Sequence, residues 1–138
     1  MADAKPDGRT LYSTRTTYEF QFGYSRAVRD GNVIRVAGTA GLGDDGQVVS
    51  DDVVEQMRRA LEIVREAIEH LGGTLEDVIM TRIYVSDVNN IDSVAVVHGE
   101  VFRDIRPASS IVRVEFIDRR ILVEVEAEAI CADRKGKV

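Results

Sequence analysis

Apolar residues recur along the chain at two different periods, and the change of period marks out the elements. Across residues 50–71, Val53, Met57, Ala60, Leu61, Val64, Ala67, Ile68 and Leu71 follow one another mostly at three- and four-residue steps. That spacing gathers them on one stripe of an α-helix. Glu55, Arg58, Arg59, Glu62, Glu66 and Glu69 fill the other side, the pattern of a solvated face. Ser50 or Asp51 is placed to cap the N-terminus, Asp51 and Asp52 suit the positive end of the helix dipole, and Gly72-Gly73 ends the helix. A second helix is predicted over residues 90–105, with Ile91, Val94, His98, Val101 and Ile105 along one side.

Elsewhere the period is two or the residues are β-branched. "NVIRVAG" (residues 32–38) reads as a strand closed by Gly38. "DVIMTRIYVSD" (residues 77–87) reads as another, with Ile79, Thr81, Ile83 and Val85 on one face and Val78, Met80, Arg82 and Tyr84 on the other. Pro107 halts the second helix. Arg106, just before it, is expected in extended geometry at the hinge to the next strand. There Ser110, Val112, Val114 and Phe116 alternate with Ser109, Ile111, Arg113 and Glu115. After an "IDRR" turn, Ile121, Val123, Val125, Ala127 and Ala129 face one way, and Glu124, Glu126 and Glu128 the other.

The first 17 residues have no clear period. They are expected either to be flexible or to add an edge strand or hairpin. The resulting order is β-α-β-α-β-β. It predicts a single α+β domain over residues 1–138, with one mixed sheet and two helices packed on one face. The other face then needs a cover, which implies self-association.

Composition agrees with this and narrows the function. The chain has 138 residues, 44% hydrophobic and 30% charged, as expected for one globular domain. It has no apolar run of the roughly 18 residues that a bilayer span needs, and "MADAKPDGRT" lacks a signal-peptide core. A cytoplasmic protein with no membrane partner is expected. The net charge of −6 and the lack of a Lys/Arg run make nucleic acid a poor partner. One cysteine, Cys131, cannot form an internal disulfide, and with only His70 and His98 beside it no Cys/His zinc set is expected.

Candidate chemistry centres on the glutamate row. Alternate residues of a strand lie about 7 Å apart, so the three carboxylates repel one another. They are either ordinary surface charge, or they sit at an interface where a pKa rises or an arginine pairs. In the second case one of them can serve as a general base for water. Tyr24 and Arg26, two apart in "GYSRAV", can hold an anion together or simply pack an edge. His98 reads either as a satisfied core histidine or as an acid/base. "GTAGLGDDGQ", with four glycines in ten residues, is turn chemistry or a ligand-lining loop, but has no dinucleotide or P-loop spacing. No G-x-S-x-G elbow is present.

The segments "GYSRAVRDGNVIRVAGTAG", "LEDVIMTRIYVSDVNN", "HGEVFRDIRPASSIVRV" and "LVEVEAEA", in that order, resemble the Rid family. These are the reactive intermediate deaminases, also called YjgF-like or endoribonuclease L-PSP proteins. The resemblance implies a chorismate-mutase-like fold and a homotrimer with ligand clefts between subunits. It implies hydrolysis of enamines or imines with no metal or cofactor. By the same resemblance Glu126 takes the place of the water-positioning glutamate, and Tyr24 and Asn89 match a site tyrosine and asparagine. The match fails at two positions: Ser109 stands where the family's carboxylate-binding arginine falls, and Ile111 where a cysteine is usual. Arg113, four residues on and about 13 Å along the strand, is too far to replace that arginine. Arg106 and Arg26 are the two candidates for an anion contact. The expectation is therefore a small-molecule cleft with deaminase-type hydrolysis. The alternatives are a metabolite-binding trimer without catalysis and, less favoured by the acidic charge, a ribonuclease.

Overall fold

The computed structural model describes residues 2–131. Ten elements follow in order: β1 (Ala2–Ala4), β2 (Thr10–Tyr12), α1 (Thr17–Phe22), β3 (Ala27–Asp30), β4 (Val33–Ala40), α2 (Val53–His70), β5 (Val78–Val85), α3 (Ile91–Phe102), β6 (Ala108–Arg113) and β7 (Val123–Ile130). The seven strands make one sheet in the order β1-β2-β3-β4-β7-β5-β6. Only β5 and β6 pair in parallel; the helix α3 supplies the crossover that a parallel pair requires. The result is a single α+β domain with a mixed sheet and packed helices.

The core lies between the sheet and the helices. Met57, Leu61, Val64 and Ile68 of α2 are at most 3% exposed. They meet Ile34 and Val36 of β4, Ile83 and Val85 of β5, and Val123 and Val125 of β7 in one apolar cluster, which Val94, Val97 and Phe102 of α3 complete. Each large apolar side chain so buried contributes about 1.5–3 kcal/mol, several times what helix propensity adds per residue. Packing therefore fixes α2, and its propensity only assists.

Several local expectations need correction. The carboxylate of Asp52, not Ser50 or Asp51, caps α2 by accepting from Val54 N–H at 3.0 Å. Ser50 Oγ instead accepts from Asp52 N–H. Strand β4 does not close at Gly38 but runs to Ala40, with its register shifting between Val36 and Thr39. A second irregularity between Val78 and Met80 breaks the simple alternation of β5. Val78 is consequently buried and Ile79 is 44% exposed. Helix α3 ends at Phe102, and Arg106 is not extended: its φ is +54°. Its N–H returns to Phe102 C=O at 2.8 Å. That capping bond calls for a left-handed residue before the chain can enter β6, and this outweighs the extended preference ahead of proline. Strand β6 ends at Arg113, and residues 114–122 form the connection to β7.

Two buried polar side chains tie loops to this frame. Gln56 is fully buried on α2. Its Nε2 donates to Ser50 C=O at 2.8 Å and Arg120 C=O at 2.9 Å, and its Oε1 accepts from Leu122 N–H at 2.8 Å. Gly41 passes so close that a Cβ there would lie 2.4 Å from Gln56 O, so only glycine fits.

Near the sheet edge, Glu19 is 3% exposed and accepts from Thr14 Oγ1, Thr16 N–H and Thr16 Oγ1. Thr16 and Glu19 form a capping box, and Gly23 closes the helix at φ +72°. These polar caps, rather than a buried apolar face, hold the six-residue α1, and Tyr18, Phe20 and Phe22 stay exposed.

Burial opposes ionisation of Glu19, but bonds from Thr14, Ser13 and Thr16 outweigh it and hold the carboxyl below its ordinary value. A lowered folded pKa gives stabilisation that is present above the ordinary carboxylate range and is lost as the pH falls through the folded value. Glu19→Gln is therefore expected to cost about 1–2 kcal/mol at pH 7, with the difference shrinking in acid. Urea unfolding of both proteins across pH 3–7 checks this; a pH-independent difference would refute it.

Candidate functional site

The three glutamates of β7 point away from the helices because Val123, Val125, Ala127 and Ala129 between them are buried. Their neighbours across the strands follow from the register. Arg82 lies opposite Glu126, Tyr84 opposite Glu124 and Met80 opposite Glu128 on β5. Ala40 and Arg35 lie opposite Glu124 and Glu128 on β4. The three carboxylates differ in surroundings. Glu128 meets the exposed Arg35 at 3.4 Å, a solvent-screened pair of little energetic weight. Glu126 accepts a hydrogen bond from the Tyr84 hydroxyl. Chiefly through that bond, and also through burial and the Glu126 charge, the Tyr84 phenol is pushed above its ordinary value.

Glu124 is partly buried. Burial pushes its carboxyl up, Arg26 pulls it back, and the Glu126 charge raises it further. Its Oε1 sits 2.8 Å from where a Cβ on Gly38 would be, so the bare glycine provides the space for the carboxylate. Arg26 reaches over the same point: Nη1 donates to Gly38 C=O and, at 3.1 Å, to Thr39 Oγ1. Its guanidinium carbon lies 5.8 Å from the centre of the Tyr24 ring, within cation–π range.

Among the residues singled out from sequence, Glu126, Arg26 and Tyr24 thus belong to one run of contacts that also takes in Glu124, Gly38 and Tyr84. Asn89 is exposed in a single turn after β5, its N–H bonded to Asp87 Oδ1 at 2.9 Å. Ser109 and Ile111 lie elsewhere. They stand in register with Thr81 and Ile83, both buried towards the helices, so they belong to the face opposite Glu126. Ile111 packs partly against the core, and Arg106 is exposed beyond α3. Within one protomer the expected set is split across the sheet.

A second polar cluster accompanies Ser109. The Thr81 hydroxyl is hydrogen-bonded to Ser109 Oγ at 2.8 Å and to His98 Nε2 at 2.8 Å. The His98 ring packs against Phe102, 4.6 Å between centres, and burial pushes its pKa below the ordinary value. Among the described residues no group of three or more His, Cys, Asp or Glu is placed to hold a metal ion. None of the described helices is long and apolar enough to cross a membrane.

Sequence reasoning passed over Glu124 as distinct from its row, Tyr84, Gly38 and Thr81. The parity of β5 does put Tyr84 on the glutamate side, but only the register of β5 on β7 brings it to Glu126.

Comparison with known proteins agrees with this architecture. The endoribonuclease L-PSP family model matches residues 16–131, and the chain belongs to that family, the Rid or YjgF-like proteins. A Mycobacterium tuberculosis member of the YjgF/YER057c/UK114 family is 43% identical, with a TM-score of 0.82 over 89% of this chain and 99% of that one. An uncharacterised Streptomyces coelicolor protein is 38% identical over 113 residues, 81% of this chain and 84% of its own. A mouse 2-iminobutanoate/2-iminopropanoate deaminase is 31% identical over 108 residues, 78% of this chain and 80% of its own.

The Tyr84–Glu126 bond has a direct readout. Tyr84 is expected to ionise above the ordinary tyrosine value, and Glu126→Gln is expected to lower that titration by removing the carboxylate. Ring-proton NMR titration of the wild type and the variant measures both, and an unchanged titration in Glu126→Gln would exclude the bond.

Proposed function

We propose that this chain is a cofactor-independent hydrolase of a small enamine or imine, working in clefts between the subunits of a cytoplasmic homotrimer with a chorismate-mutase-like arrangement. The observation that carries the reading is Glu126, a half-buried carboxylate on the open sheet face, held by the Tyr84 hydroxyl. The name of the mouse relative, a 2-iminobutanoate/2-iminopropanoate deaminase, supports the reaction class.

In this reading Glu126 takes a proton from water as the water oxygen attacks the C=N carbon. The resulting carbinolamine collapses, the C–N bond breaks, and the nitrogen leaves as ammonia once protonated; a carbonyl product remains. An enamine is first protonated at carbon to give the imine. Tyr84 orients the carboxylate. Tyr24 and Asn89 shape the cleft, and Arg26 or Arg106 meets an anionic group of the substrate.

The intersubunit placement is supported by the split across the sheet. Ser109 and Ile111 stand on the sheet face opposite Glu126 in their own protomer, but those of a neighbouring protomer can approach it. The open face also carries exposed Val112 and Ile130 beside its charges, surface that a second copy would cover.

One substitution favours a second reading, a metabolite-binding trimer without turnover: a neutral serine occupies position 109, where the family resemblance leads one to expect an arginine. Ribonuclease activity is disfavoured. The net charge is −6, and the His70 Nδ1 is already engaged with Glu66 C=O.

Ammonia release from freshly generated 2-aminoacrylate is expected above the buffer rate, and Glu126→Gln is expected to reduce it about 100-fold or more, the usual scale for a general base. No release by the wild type, with a competent family member positive in parallel, would sink the activity. Ligand binding that persists in Glu126→Gln without turnover in either form would favour the binding protein instead. Sedimentation equilibrium is expected to give three times the 15.3 kDa chain mass; a monomer would remove the cleft.

A further inference from the structure

We propose that a cavity at the C-terminal ends of β5 and β6 binds a small monocarboxylate with an apolar or aromatic body. The hydrolase reading above makes no use of this cavity, and the test of the proposal does not depend on turnover.

The cavity has a volume of about 300 Å³ and is lined by Ser86, Arg113, Val114, Phe116, Arg119 and Ile121. That volume lies at the lower end of the range for small-molecule sites. Its place follows from the topology. Strands β5 and β6 run in parallel, and their last residues, Val85 and Arg113, stand in register. Ser86 continues from one end and Val114 from the other. The connection over residues 114–122 supplies the remaining lining before β7 begins.

Hydrogen bonds preform these walls. Val114 N–H donates to Val85 C=O at 2.8 Å, Ser86 N–H to Leu122 C=O at 3.2 Å, and Ile121 N–H to Asp118 C=O at 3.1 Å. The buried Gln56 holds Arg120 C=O and Leu122 N–H to α2. The connection is thus tied down at both ends, and a ligand meets a lining that is already ordered, which lowers the entropic cost of binding.

Charge selects the ligand class. Among the described residues, Arg113 and Arg119 make no hydrogen bond or ion pair. Asp118, the acid next to Arg119 in the chain, is engaged by Arg120 at 2.9 Å. A second cavity, of about 340 Å³ beside α2, also has two arginines in its lining. There, however, Arg58 is paired with Glu100, and Arg59 with Glu62 and Leu42 C=O. One unpaired arginine would be ordinary surface charge; two in the lining of one preformed cavity make an anion site. Glu115, which also lines the cavity, offsets one of them and leaves a single positive charge, matching a monoanion. The parallel N–H groups of a guanidinium fit a carboxylate in two-point contact. Val114, Phe116 and Ile121 offer apolar surface to the rest of the molecule.

Phenylacetate is the probe, followed by 1H–15N NMR of the full-length protein at low salt. Titration is expected to give saturable shifts at the Ser86, Val114, Phe116 and Ile121 amides and at the Arg113 and Arg119 Nε signals. Phenylacetamide, which keeps the shape without the charge, and acetate, which keeps the charge without the ring, are each expected to bind about tenfold more weakly or worse. Arg113→Ala and Arg119→Ala are each expected to weaken phenylacetate about threefold to tenfold. Glu115→Gln is expected to tighten it about twofold to fivefold by removing the opposing charge. No shift at the lining at tens of millimolar phenylacetate, or shifts confined to the Glu126 face, overturns the site. Equal affinity for phenylacetamide or acetate overturns the ligand class, as does unchanged affinity in both arginine variants. The comparison of the three probes uses the wild type alone, so it decides even if a variant fails to fold.

Discussion

The alternation of strand β7 is the constraint on which the rest depends. The strand lies between β4 and β5, hydrogen-bonded on both sides, so it cannot slip without breaking two ladders. A shift of one residue would drive Glu124, Glu126 and Glu128 under α2 and expose Val123, Val125, Ala127 and Ala129. Burying three carboxylates there would cost far more than any local adjustment could recover. The strand is thus pinned in register, and that register decides which face is apolar core and which carries the charged groups.

Around this strand, a few buried polar side chains do work that apolar packing cannot. Gln56 bonds three backbone groups from two separate loops to α2. Glu19 holds a six-residue helix whose aromatic residues stay outside. Thr81 links β5 to β6 and α3 through Ser109 and His98. Each is bonded to named partners, which offsets the cost of burying a polar group. Each also sits where an irregular segment or an edge strand meets the layered core.

The two faces of the sheet divide the polar chemistry. On the open face, Gly38 gives room to the Glu124 carboxylate, Arg26 spans from Tyr24 to the β4 bulge, and Tyr84 holds Glu126. On the helix side, a neutral chain ends at Ser109. One protomer presents a carboxylate surface and a hydroxyl surface back to back. Only an arrangement of several copies could turn these two surfaces towards one another.

Much of this was legible in the residues themselves. The three- and four-residue spacing of α2, the two-residue alternation of β7 and the breaker at Pro107 fixed element types, because local periodicity expresses which side of an element meets water. The family resemblance singled out Glu126, Tyr24 and Ser109 from linear motifs. The irregularities did not show. The shifts in β4 and β5 arise in pairing with the distant strand β7, while the left-handed Arg106 and the Asp52 cap follow from short-range hydrogen bonds at helix ends that outweigh the preference of the residue itself. Above all, linear order could not say that Tyr84 meets Glu126, that Gly38 accommodates Glu124, or that Thr81 joins His98 to Ser109. Those pairings come from strands distant in sequence and exist only once the register is set.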